Sequence, residues 1–238
     1  SITTATATGA INNDDAAPSF AIASSSITEG GIITFTVTRT GDAQAAQAVN
    51  FATSDGTATV VAGLDYTANS GTLTFNQGDT VKTFTVQATG DTIFEASETI
   101  TATISAPTDA NGTPTISTAT ATGTITNDDA APIFSIAAAS VTEGGTMTFT
   151  VTRTGDAQAT QTVQFATADH SPAGLGFAVA GSDYTGNANT LTFNQGQTTQ
   201  TFTVATTQAL LVEGNETFDV TISNPTGGAV LGQATTSG

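Results

Sequence analysis

The sequence predicts an all-β protein made of two tandem antiparallel β-sandwiches. Three observations carry that expectation. First, a long internal repeat is present: residues 35–45 (FTVTRTGDAQA) recur letter for letter as 149–159. ITEG at 27–30 returns as VTEG at 141–144, and, after a short insertion, LTFNQG at 73–78 returns as 191–196. Repeats this far apart are duplicated whole domains and not turns of a solenoid. Second, the period within a unit is two, and β-branched Thr, Val and Ile fill the alternation. Third, no stretch carries an amphipathic helical stripe.

The units follow from the repeat. Unit one runs over 16–129 and unit two over 130–238, while residues 1–15 match the closing strand of a preceding unit. The stretch 124–132 (TITNDDAAP) and its near-copy 10–18 (AINNDDAAP) each read as a strand end, two adjacent carboxylates, and a proline that starts the next unit.

Taken in order, strands are expected near 18–24, 32–38, 46–54, 71–76, 81–88, 98–105 and 115–126. In the second, Ile33, Phe35 and Val37 alternate with Thr34, Thr36 and Thr38. Val49 and Phe51 mark the third, Leu73 and Phe75 the fourth, and Phe84 and Val86 the fifth. Ile100, Ala102 and Ile104 mark the sixth. Gly, Asn and Asp separate them, as turns require. Seven such strands per unit indicate an immunoglobulin-like sandwich, its two sheets closing over Phe, Ile and Val.

Charge narrows the partners. Twenty acids face three bases, Arg39, Lys82 and Arg153, for a net charge of -17. Such a surface repels nucleic acid and anionic membranes. No apolar run approaches the ~20 residues of a membrane span, and no signal peptide opens at Ser1. With no Cys, the fold has no disulfides and thiols say nothing about compartment.

Placement of the acids says more than their number. If successive strands run up and down, one end of unit one receives Glu29, Asp55, Asp65, Asp91, Glu95, Glu98, Asp128 and Asp129. The other end receives only Asp42, Asp79 and Asp109. Carboxylates crowded together disfavour one another's ionisation. A hard divalent cation relieves that repulsion. Ca²⁺, which takes six to eight oxygens on flexible loops, suits the site better than Mg²⁺, which prefers few protein ligands. The absence of Cys and the single histidine, His170, argue against zinc and copper.

These residues also carry a family resemblance. Thr28-Glu29-Gly30, FTVTRTG at 35–41, DGTA at 55–58, GLDY at 63–66, GTLTF at 71–75, Asp91 with Glu95 and Glu98, and the closing TITNDD at 124–129 occur in order. Together they resemble a Calx-beta repeat over nearly the whole chain. The resemblance implies an immunoglobulin-like domain of the kind found in sodium–calcium exchangers and bacterial surface proteins. It also implies Ca²⁺ ligation by Glu29, Asp55, Asp65, Asp128 and Asp129, and in unit two by Glu143, Asp169 and Asp183. Two departures bear on this. Unit two reaches Gly238 before any Asn-Asp-Asp, and Ala209 replaces Asp91. Glu95, Glu98, Glu213 and Glu216 are read equally as ligands or as loop-shaping, solvated acids.

Enzymatic readings find little support. The His170-Ser171 neighbours are not a triad, since a nucleophile's base must approach it through space with an orienting acid. The Asp128-Asp129 pair lacks the Trp platforms of a sugar cleft, because the chain contains no Trp. Gly30-Gly31 and Gly144-Gly145 precede no helix and are not phosphate loops.

Three functions remain: a calcium-stiffened structural module of a secreted or cell-surface protein, an adhesin binding a glycan or protein through loop 170–182, and a regulatory calcium sensor. Expected partners are neighbouring repeats or copies of the chain itself. Head-to-tail assembly is expected to use residues 3–11 as a donated strand, with Asp14 and Asp15 completing the site of unit two. The alternative is that the chain is a fragment of a longer tandem array.

Overall fold

The computed structural model describes residues 6–61, 65–108, 113–170, 176–210 and 214–237. Among them there is no α-helix, and these described residues form nineteen strands. Two compact units result: Ser1–Gly90 with Ser97–Thr126, and Asp91–Ala96 with Asn127–Gly238.

In the first unit, β1 (Ser19–Ala23) is followed by β2 (Ser25–Thr28), β3 (Ile32–Thr40), β4 (Gln47–Asp55), β5 (Ser70–Phe75) and β6 (Val81–Gln87). After β7 (Ile93–Phe94), which groups with the second unit, come β8 (Glu98–Thr108), β9 (Thr115–Thr118) and β10 (Thr120–Thr126). One sheet has the order β6-β3-β1-β9 and the other β2-β10-β8-β4-β5.

The first and last expected strands each split between the two sheets. The stretch 18–24 becomes β1, and then the chain crosses over as β2, which pairs in parallel with β10. The stretch 115–126 divides into β9, parallel to β1, and β10, antiparallel to β8. A period of two reports which face a residue takes, and it is blind to a change of sheet. Ser24, whose hydroxyl accepts from Thr122 N at 3.1 Å, sits at one crossing.

Alternating positions fill the core. Phe20, Phe35, Phe75, Ile33 and Ile100 are completely buried, and Phe51 stacks on Phe84 with ring centroids 4.1 Å apart. Gly123 lies on β10 where the sheets approach closely: a Cβ there would fall 2.7 Å from Phe35 Cζ. Gly123→Val therefore overpacks the core and is expected to cost about 1–3 kcal/mol, read as a lowered midpoint in urea unfolding.

The second unit repeats the plan with β11 (Ile133–Ile136), β12 (Thr146–Thr154), β13 (Asp156–Ala157), β14 (Gln161–Ala168), β15 (Ala188–Phe193), β16 (Thr199–Ala205), β17 (Asp219–Ser223), β18 (Val230–Leu231) and β19 (Thr235–Ser237). Its sheets have the orders β16-β12-β11-β18 and β15-β14-β17-β19, and β13 pairs in parallel with β7. Phe165 and Phe202 repeat the stacked pair at 3.7 Å. Residues 139–142, the counterpart of β2, form no strand. Residues 6–15 are exposed and in no strand either.

Two of the three basic residues are buried beneath the sandwich ends. Arg39 donates to Gln47 Oε1 at 3.3 Å and to Asp42 Oδ1 at 2.5 Å. Arg153 repeats this with Gln161 and Asp156. The exact repeat FTVTRTGD thus encodes a buried guanidinium and its carboxylate as well as a strand.

Candidate metal centre

The loop 29–31 is shaped by its glycines. Gly30 has φ 71°, a conformation open to glycine with little cost, and Gly31 N donates to Thr28 O at 3.1 Å. Glu29 N donates to Thr126 O at 3.1 Å, which holds Glu29 at the exit of β10.

Asp65 is almost fully buried, and its Oδ2 accepts from Thr59 N at 2.7 Å and Thr59 Oγ1 at 3.1 Å. It can bring a carboxylate oxygen within 4.8 Å of one on Glu98, at the start of β8. Asp55 is occupied differently. The hydroxyl of fully buried Tyr66 donates to Asp55 Oδ1 at 2.8 Å, and Val60 N donates to the same atom at 3.2 Å. Burial pushes the Tyr66 phenol well up, and its bond to Asp55 adds to that, so the hydroxyl remains a donor.

In the second unit, Asn127 organises the acidic turn. Its Oδ1 accepts from Glu95 N at 2.9 Å and its Nδ2 donates to Asp129 O at 3.1 Å. Glu95 Oε1 accepts from Gln158 Nε2 at 2.9 Å, and Asp91 Oδ1 accepts from Ile93 N at 2.7 Å. Asp91 and Asp129 can place carboxylate oxygens within 4.8 Å of each other. The Asp129 carboxyl is held above its ordinary value by lost hydration first, then by the charges of Asp128 and Asp91. Its Oδ2 is buried with no hydrogen-bond partner among the described residues. An anionic oxygen held dry, unpartnered and beside other acids suits a hard cation.

The counterparts in the second repeat are occupied by protein donors. Asp169 Oδ1 accepts from Tyr184 OH and Ala180 N, both at 2.8 Å. Asp183 Oδ2 accepts from Val179 N at 2.8 Å, and Glu143 accepts from Gln208 Nε2 at 3.3 Å. No group of three acids converges there among the described residues; Glu213 lies outside them. Asp14 and Asp15 are exposed. Asn13 Nδ2 donates to Asp15 O at 3.4 Å, the same turn chemistry as Asn127 with Asp129.

Of the acids singled out by the sequence, the structure therefore groups Asp129 with Asp91 and Asp65 with Glu98. Asp91 stood in the sequence among the acids delivered to that end and within the family motif, but not among the residues to which the resemblance assigned the ion. Glu98 was left equally balanced between ligand and solvated acid. Asp55 and Asp128 join neither group among the described residues.

The profile of the Calx-beta domain matches residues 13–129 and again 126–237. The chain belongs to the Calx-beta family. No curated protein sequence matches it. Among solved structures, it is similar to the two-domain CBD12 of CALX1.2, at 24% identity, covering 87% of this chain and 80% of that one, with a TM-score of 0.43. The calcium binding domain CBD12 of CALX1.1 follows at 23% identity, 87% and 79% coverage, and a TM-score of 0.42. The apo form of the Calx CBD1 domain matches at 24% identity, covering 48% of this chain and all of that one, with a TM-score of 0.43.

Calx-beta domains are calcium-binding modules, and Ca²⁺ is the cofactor of this one. Its acidic groups can hold the ion, and the dry Asp129 Oδ2 supplies the fit in this Calx-beta chain. No helix among the described residues is long and apolar enough to cross a membrane.

Proposed function

We propose that this Calx-beta pair is a structural calcium module of a secreted or cell-surface repeat protein. The ligands in the first unit are Asp65 and Glu98, and those in the second are Asp91 and Asp129, all four inside the first family match. Asp128 adds its charge beside Asp129, and Asp55 accepts from the Tyr66 hydroxyl. The observation that carries this reading is the buried, unpartnered Asp129 Oδ2. The link between β10 and β11 is short and contains both Asp128 and Asp129. An ion bound there ties up the residues that join successive repeats and restricts their motion. Nothing in this role calls for catalysis: His170 is engaged with Asp219 at 3.0 Å and stacks on Phe177.

Calcium affinity separates this role from a regulatory one. Titration calorimetry is expected to give a Kd of ~10⁻⁴–10⁻³ M, the range of extracellular modules, whereas sensors work at ~10⁻⁷–10⁻⁵ M. A submicromolar constant would move the chain to the sensor class. Small-angle scattering checks the mechanical part: profiles with calcium and with chelator should differ, and identical curves would count against stiffening.

A further inference from the structure

The loop that leaves β4 carries two threonines, Thr57 and Thr59, between Asp55 and Asp65. Their hydroxyls are spent on the two acids that meet in the first unit. Thr59 holds Asp65 directly. Its amide and its hydroxyl both donate to Asp65 Oδ2, at 2.7 and 3.1 Å, and Oδ1 takes no part in those bonds. Asp65 N donates back to Thr59 O at 3.4 Å, and Thr89 N donates to Asp65 O at 2.9 Å. Thr57 holds the start of β8. Its hydroxyl accepts from Thr99 N at 2.8 Å, and Thr99 Oγ1 accepts from Thr57 N at 3.3 Å. Ala58 N donates to Thr99 O at 3.0 Å, and a Cβ on Gly56 would fall 2.4 Å from the same oxygen. Thr99 N belongs to the planar peptide that follows Glu98, so the Thr57 hydroxyl fixes the root of the Glu98 side chain.

The second repeat closes the same loop without these hydroxyls. Ala178 N donates to Thr217 O at 2.9 Å, and Val179 N donates to Asp183 Oδ2 at 2.8 Å, as Ala58 N and Thr59 N do in the first. Phe177 and Val179 therefore stand where Thr57 and Thr59 do, and Thr217 N donates to Gly176 O at 3.2 Å instead of to a hydroxyl. Backbone bonds suffice for the fold of this loop. The hydroxyls are additional, and they occur in the repeat where Asp65 and Glu98 can bring carboxylate oxygens within 4.8 Å of each other.

We infer that Thr57 and Thr59 are positioning residues for the calcium ion of the first unit. Thr59 clamps one oxygen of Asp65 and leaves the other to the ion, and Thr57 sets the place of Glu98 by anchoring β8. The inference rests on the reading of Asp65 and Glu98 as ligands. Two carboxylates brought together repel each other, and bonds that hold them there before the ion arrives reduce the ordering cost of binding. Loss of a partner that holds a ligating carboxylate typically weakens metal binding by about 10–100-fold.

Titration calorimetry on the full chain carrying Asp129→Asn, which removes a ligand of the other site, reads this ion. Thr59→Val and Thr57→Val, added singly, are each expected to weaken calcium binding by about tenfold or more. The melting midpoint in chelator should move little, because Val179 already serves at the place of Thr59 in the second repeat. Thr59→Ser, which keeps the hydroxyl, should retain the affinity. If Asp65→Asn leaves binding untouched, the calcium reading of this pair falls and the positioning role falls with it. If Asp65→Asn abolishes binding while both valine variants bind as tightly as their parent, the positioning role alone is overturned. An affinity that falls only in step with the chelator midpoint, and that Thr59→Ser also loses, marks a purely structural role and overturns it too.

Discussion

Calcium is expected to raise the melting temperature of the wild-type chain by about 11–22 °C when present at a hundredfold excess over its Kd. An ion that binds only the folded state stabilises it by mass action, by about 2.7 kcal/mol at that ratio. For a domain of this size each kcal/mol is ~4–8 °C. Asp129→Asn should remove most of the shift, because it neutralises the oxygen that the fold leaves dry and unpartnered. In chelator the same variant should melt no lower than the wild type, since it also removes a charge crowded by Asp128 and Asp91. Differential scanning calorimetry with and without calcium reads both effects. A wild-type curve that calcium leaves unmoved would sink the site.

Arg39→Ala is expected to destabilise the first unit by about 1–3 kcal/mol, the cost of removing a hydrogen bond made to a buried side chain. The Asp42 side chain is half exposed and regains water, so no buried charge is left unpaired. What is lost is the hydrogen bond to buried Gln47, the bond to Asn76 O, and the guanidinium over the Phe75 ring at 5.8 Å. Arg39→Lys should recover little, because an ammonium cannot reproduce the planar fork. Arg153→Ala should do the same to the second unit. Urea unfolding measures each.

The pair also sets an acid limit. Bonds from Ala43 N and Gly78 N, then the Arg39 guanidinium, hold Asp42 below its ordinary 3.8. Its contribution is therefore complete above that value and is lost as pH falls through the lower folded-state value. Loss of Arg39 should weaken the pH dependence in that window without abolishing it, because the bonds from Ala43 N and Gly78 N remain.

Local rules made much of this protein legible. Alternating Phe, Ile, Val and Thr can bury one face only in a sheet, so period two leads to strands and then to a sandwich. An exact repeat such as FTVTRTGD requires the same local structure twice. Strand parity sends Glu29, Asp65, Asp91, Glu98 and Asp129 to one end without knowledge of any distance. Asn127 is a different matter: its role in tying Glu95 to Asp129 depends on two loops meeting, and nothing in the string TITNDD reveals it.

The sequence by itself therefore determined the fold class, the duplication and the acidic end. The tertiary structure decided which acids converge: Asp91 approaches Asp129 and Glu98 approaches Asp65, while Asp55 is taken up by Tyr66. It also decided that β1 and β2, and β9 and β10, belong to different sheets, and that Arg39 and Arg153 are interior residues. The physical reason is common to all three. Periodicity and charge are properties of one segment, whereas ligation, sheet membership and burial of a charge depend on which distant segments come within a few ångströms.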